Sequence, residues 1–246
     1  MIRIASWLLA VLFMAQSAFA APKGQDVLTK MDVALTKAKD NIFTFDMVIQ
    51  DPGKESREVV QKVYTRGEKR YIVFLSPGDI KGTKMLSISR DKMYVYLPAY
   101  RKIRRVASHA RSQTLFGADY TYDEMSTVTY ADIYQAKSIK ETATHYTVDA
   151  SLRSGKEAPY KRIVFRVRKK EMLPDELRYY SAKGNHIKTE TRSEFSCNKG
   201  ACSAAKLKMV DHTRNDHWTT MQRKTWEVNT GFSERIFSLR NLQRGR

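Results

Sequence analysis

From residue 43 to residue 228, apolar and polar residues exchange places at every second position, run after run. A period of two puts successive side chains on opposite faces of an extended chain, which a helical bundle cannot use. Phe43-Thr-Phe-Asp-Met-Val-Ile49 is the first such run. Others follow at 57–64, 69–75, 85–89, 93–97 and 101–106, then at 133–139, 145–152, 160–168, 176–180, 186–195, 206–211 and 218–228. Gly, Pro, Asn or Asp marks most of the junctions, so neighbours in sequence are joined by short turns and pair antiparallel. The spacing predicts a mainly β fold, an incomplete antiparallel barrel or wrapped sheet of about 11–12 strands. Only residues 23–40 break the rule before it starts. Val27, Leu28, Met31, Leu35 and Ala38 recur there at three- and four-residue steps, the stripe of one amphipathic helix. No linker or repeat divides the remainder, and residues 21–246 read as a single domain.

In residues 161–168, Arg162, Arg166 and Arg168 fall on one face while Ile163, Phe165 and Val167 fall on the other. Much of the formal charge of +18 therefore belongs to a solvated outer face, and the inner face is apolar. Such an interior is either filled by side chains or left partly open for a ligand.

Between residues 106 and 132 the alternation lapses. A stretch this long inside a compact domain is usually functional or carries a short helix. Thr121, followed by Asp123, Glu124 and Met125, has an N-cap and first-turn acids in place to open one. With Leu115, Phe116, Tyr120, Tyr122 and Met125 it suits a short plug over the open side of a curved sheet. The alternative is a surface loop pinned by its aromatics. Just before it, Arg101-Lys-Ile-Arg-Arg105 follows Tyr94-Val-Tyr-Leu-Pro98. Interleaved aromatics and bases can bind single-stranded nucleic acid, but the N-terminus argues against that partner.

Residues 1–20 have the parts of a secretory leader. Arg3 supplies the positive end, 4–15 is apolar apart from Ser6, and Ala18-Phe-Ala20 offers small residues for cleavage after Ala20. The apolar run is shorter than the ~20 residues of a membrane-spanning helix. Export leaves a solvated face or an anionic lipid surface as the role of the basic run. It also places Cys197 and Cys202 in an oxidising compartment, where Asn-Lys-Gly-Ala between them suits a disulfide-closed hairpin. Asp211-His-Thr-Arg-Asn-Asp-His217 holds metal-ligand residue types, yet it joins two strand-like runs and reads as a polar turn. No G-x-S-x-G elbow, G-x-G-x-x-G or phosphate-loop pattern occurs. The chain reads as a non-enzyme without cofactor or metal.

One block of residues looks familiar. Pro77-Gly-Asp-Ile-Lys-Gly-Thr-Lys-Met-Leu86, Asp91-Lys-Met-Tyr-Val-Tyr-Leu-Pro98, Arg101-Lys-Ile-Arg-Arg-Val106 and Phe116-Gly-Ala-Asp-Tyr-Thr-Tyr-Asp-Glu124 occur in that order. The series resembles the outer-membrane lipoprotein-sorting protein family, with its LolA-like fold. Ala118 and Tyr120 are mild departures from the usual Ser and Phe, and Ile236-Phe-Ser-Leu-Arg-Asn-Leu242 resembles the family's closing segment. The resemblance implies a partial barrel around short lid helices, a periplasmic location, and a carrier or chaperone of lipoprotein acyl chains or lipids.

On that basis the candidate cavity or lid residues are Tyr94, Tyr96, Leu97, Leu115, Phe116, Tyr120, Tyr122 and Met125. Arg104 and Arg105 are candidates to hold the lid through Asp119 or Asp123. The expected partners are acyl chains or lipids and the envelope membrane proteins that give and take them, around a monomer. The alternative is an accessory module of an envelope transporter whose concave face binds protein.

Overall fold

The computed structural model describes residues 23–50 and 53–244. The expected leader and its cleavage point at Ala20 lie outside the described residues. A helix, α1 (Gly24–Leu35), precedes strands β1 (Asn41–Gln50), β2 (Arg57–Arg66), β3 (Lys69–Ser76), β4 (Lys84–Ser89), β5 (Lys92–Leu97) and β6 (Lys102–Arg105). A short helix α2 (Tyr122–Ser126) follows, then β7 (Tyr134–Glu141), β8 (His145–Leu152), β9 (Arg162–Arg168) and β10 (Leu173–Tyr180). The chain closes with β11 (His186–Asn198), β12 (Ala201–Asp211), β13 (His217–Val228) and α3 (Leu239–Arg244). The 13 strands of the described residues correspond one for one to the alternating runs, slightly more than the total of about 11–12 expected. The run at 101–106 gives β6, four residues that pair Lys102 to Arg105 against Leu97 to Tyr94.

All thirteen form one antiparallel, open, curved sheet in the order β6-β5-β4-β3-β2-β1-β13-β12-β11-β10-β9-β8-β7. Every neighbour pair is consecutive in sequence except β1 with β13, which meet in the middle from Asn41 opposite Val228. A consequence follows for the chain between β6 and β7. Those strands are consecutive in sequence but sit at opposite edges, so residues 106–133 have to cross from one edge to the other. They cross the concave side, where Leu115, Ala118, Tyr120, Met125 and Tyr130 join the main core. The alternation sorts the sheet as expected: Ile163, Phe165 and Val167 are buried in that core. On the other face Arg162 and Arg166 pair with Asp149 and Asp175.

α1 lays Val27, Leu28 and Met31 into the same core and leans on β7 and β8. Its first residue shows how close: a Cβ on Gly24 would stand 2.9 Å from Ala136 Cβ. Neither atom can swing away, because each is fixed to its backbone. Gly24→Ala is therefore expected to cost about 1–3 kcal/mol, the range for overpacking a tight contact, read as a lower urea midpoint at unchanged slope.

The convex face is not all solvated. Residues 229–244 run back across it, and Phe232, Ile236, Phe237 and Leu242 cover Tyr71 and Leu86 together with Tyr94 and Tyr96. Among the described residues no helix is long and apolar enough to cross a membrane.

Candidate ligand-binding cavity

A cavity of about 200 Å³ lies between the concave sheet face, α1 and the crossing segment. Parity along the strands decides what lines it. On β1 and β2 the inward positions include Phe43, Phe45 and Val63, and on β13 Met221 and Trp226. Toward the outside Leu35, Phe43, Phe195 and Trp226 are half-buried, with Phe43 stacked on Trp226 at 5.9 Å. Cys197 and Cys202 form a disulfide across the β11–β12 hairpin, and Cys202 is part of the rim.

The inner end is different. The inward parity of β2, β3 and β11 also carries Gln61, Arg70, Glu190 and Arg192, all of which reach the cavity. Glu190 is 3% exposed. It accepts from Arg192 Nε at 2.9 Å and from Tyr179 Oη at 2.8 Å. Arg70 Nη1 donates to the backbone oxygen of Met125, at the end of α2, at 2.7 Å. Among the described residues Arg70 makes no ion pair, and its Nε is buried without a partner. Burial accordingly lowers the guanidinium to about 10. Arg192 behaves oppositely: burial pulls it down, but the Glu190 carboxylate more than compensates and its value rises. Burial, with Glu190 nearby, drives the Tyr120 phenol well above its usual range. It pushes Tyr130 to about 12.

The crossing segment is held at several points. Thr121 caps α2 in a reciprocal box with Glu124, the helix start expected from sequence. Glu124 also meets Tyr160 Oη at 2.5 Å and Lys188 Nζ at 3.4 Å. Its carboxyl is raised, burial outweighing the Lys188 charge. Asp119, wholly buried, accepts from His217 Nδ1 at 2.7 Å and from Thr219 Oγ1 at 2.7 Å. Asp123 pairs with Arg90 at 3.2 Å. Asp32 of α1 takes the backbone N–H groups of Tyr130 and Ala131.

The residues singled out from sequence scatter over three environments. Tyr120 and Met125 line the cavity. Leu97, Leu115, Phe116 and Tyr122 pack in the core around it, Phe116 edge-on to Phe74 at 4.8 Å. Tyr94 and Tyr96 face the other way, under the C-terminal segment, because β5 turns Met93, Val95 and Leu97 inward. Arg104 and Arg105 do not hold the segment: they are exposed on the edge strand. Arg105 donates to Asp91 O and Arg104 lies over Tyr100. Arg90, His217 and Lys188 take the acids instead, since they sit where the segment crosses and β6 does not.

Residues 212–216 form the β12–β13 turn, with Asp211 accepting from Thr213 N at 2.9 Å. Among the described residues no cluster of three or more His, Cys, Asp or Glu is placed to hold a metal. Sequence reading missed Gln61, Arg70, Glu190 and Arg192, although each is a polar residue at an inward position of an alternating strand.

A family described as "Uncharacterized protein" matches residues 66–244. No curated protein matches the sequence. Among solved structures, a DUF1329 family protein from Desulfovibrio piger superposes with a TM-score of 0.80 at 24% identity, over 89% of this chain and 97% of that one. A domain named for outer membrane lipoprotein sorting, from Vibrio parahaemolyticus, gives 0.78 at 21% identity, over 90% and 98%. A LolA superfamily protein from Nitrosomonas europaea gives 0.74 at 15% identity, over 89% and 98%.

Proposed function

Because the chain belongs to the family described as "Uncharacterized protein" and has a LolA-like fold, we propose that it is a periplasmic carrier of acyl chains or lipids. It performs no covalent chemistry and hands its cargo on between envelope membrane proteins. The observation that carries this reading is the cavity itself, walled by Phe43, Phe45, Val63, Met221 and Trp226 and roofed by a segment the topology forces across it. Burial of a methylene is worth about 0.8 kcal/mol, so about six buried methylenes supply about 5 kcal/mol, a sub-millimolar affinity before the costs of ordering. At about 200 Å³ the space is only somewhat larger than the ~150 Å³ cavity that takes one benzene. It suits one chain with the roof in this position.

The test is native mass spectrometry of the protein purified from its periplasm, with organic extraction of whatever is bound. A bound lipid or acylated protein is expected, and Phe43→Asp should lower its occupancy about tenfold or more by placing a charge on the apolar wall. A protein that stays free of ligand after incubation with envelope lipids and lipoproteins would overturn the carrier reading.

A further inference from the structure

Three buried polar atoms without partners share one cavity: Arg70 Nε, Tyr120 Oη and Gln61 Oε1. Buried polar groups are nearly always satisfied, and each exception asks for an explanation. Here the exceptions converge. Gln61 is 0% exposed and Tyr120 3%, so both lie at the inner end. Arg70 is half-buried as a residue but its Nε is buried, and the half-buried Leu35, Phe43 and Trp226 are the apolar residues toward the rim. The charges converge too. Glu190 is taken by Arg192 and Glu124 by Lys188, which leaves Arg70 as a cation with no carboxylate paired to it among the described residues. Polar groups therefore gather at the inner end and apolar ones toward the rim.

We propose that the inner end seats the anionic head of a single-chain amphiphile, bound head first. Its carboxylate or phosphate oxygens accept from Arg70 Nε and Tyr120 Oη, and its chain runs past Phe45 and Phe43 toward Trp226. Gln61 supplies a third contact. That contact comes from its Nε2, which now rests on Met221 Sδ at 3.2 Å, a weak acceptor that a ligand oxygen readily replaces; its unpartnered Oε1 is itself an acceptor and does not bind the anion. Hydrogen bonds to a charged group are about twice as strong as neutral ones, and stronger again in a site closed to water. The same cavity therefore discriminates by head as well as by chain. This inference rests on the carrier reading above and narrows it from acyl chains in general to chains with one anionic end.

The test compares three ligands of equal chain length, decanoate, decyl phosphate and decanol. Each is titrated by calorimetry into delipidated mature protein and into Tyr120→Phe and Arg70→Met variants. Wild type is expected to bind an anionic ligand at least about tenfold tighter than decanol, the scale of one charged hydrogen bond. Whichever of decanoate and decyl phosphate is tighter identifies the head as carboxylate or phosphate. Arg70→Met should erase the preference. Arg70 also supports Met125, so Tyr120→Phe is the cleaner variant, removing one unpartnered hydroxyl at constant shape. It should lower anion affinity about fivefold and leave decanol within about twofold. Decanol binding as tightly as both anions in wild type would overturn head-first seating and leave the carrier reading standing. A preference that survives both variants would overturn it as well. Binding of none of the three, with no lipid in the periplasmic extract, would remove both.

Discussion

Replacing Glu190 with alanine is expected to lower the unfolding free energy by about 3–5 kcal/mol, the cost of breaking a buried ion pair from one side. Glu190 receives Arg192 through two nitrogens, at 2.9 and 3.2 Å, and the Tyr179 hydroxyl as well. Without it Arg192, whose side chain is 15% exposed, keeps its charge but loses its carboxylate. It then faces Arg70, which repels it and which also loses the charge of Glu190. Removing both members should restore most of the loss, because a pair of methionines fills the volume without a charge to desolvate. Urea denaturation of Glu190→Met, Arg192→Met and the Glu190→Met/Arg192→Met double variant closes the cycle, with Glu190→Ala measured beside it. A single-variant cost below about 1 kcal/mol would mean that water already reaches the pair and that the inner end is wet.

Asp119→Ala is the second large effect, again about 3–5 kcal/mol, but with a different address. The carboxylate is 0% exposed and binds groups from β13 and its turn, His217, Thr219 and Arg214. It belongs to the crossing segment, so the bonds it makes are bonds between the roof and the sheet. Removing it leaves His217, 2% exposed, and Thr219 without their acceptor. Amide hydrogen exchange should rise over residues 111–126 more than over the β1–β13 pair, about tenfold for each 1.4 kcal/mol lost locally. Equal acceleration in both regions would mean that Asp119 serves the core as a whole rather than the roof.

These two carboxylates also mark the limit of what could be read in advance. Period two was legible because each strand has one face in a single continuous core, and so was the helix start at Thr121, whose cap and Glu124 are local signals. Pairing of Cys197 with Cys202 was legible for the same local reason. The partners of Asp119 and Asp123 were not, since His217 and Arg90 reach them only through a sheet order in which chain neighbours β6 and β7 are farthest apart. Tyr94 and Tyr96 show another limit. Alternation separates two faces but does not say which is concave, and here a C-terminal cover makes the convex face apolar as well. The inward polar residues were nonetheless visible. Val59, Gln61 and Val63 share one parity, as do Arg70, Ile72 and Phe74, and in each trio a polar residue interrupts an otherwise apolar row.

The β1–β13 seam, finally, bears on how the molecule is assembled. On either side of it every strand pairs with its neighbour in sequence, so β1–β6 and β7–β13 are each a meander that local contacts can build quickly. The seam joins Asn41 to Val228 and closes a loop spanning almost the whole sheet, and its entropic cost is met only once both halves exist. Synthesis proceeds from the N-terminus. For that interval β1 is an open edge carrying Phe43, Phe45, Met47 and Ile49, an edge of the kind that recruits foreign strands. A chain built this way has its most vulnerable surface in what will become the middle of the sheet. Its yield then depends on how long that edge waits for β13.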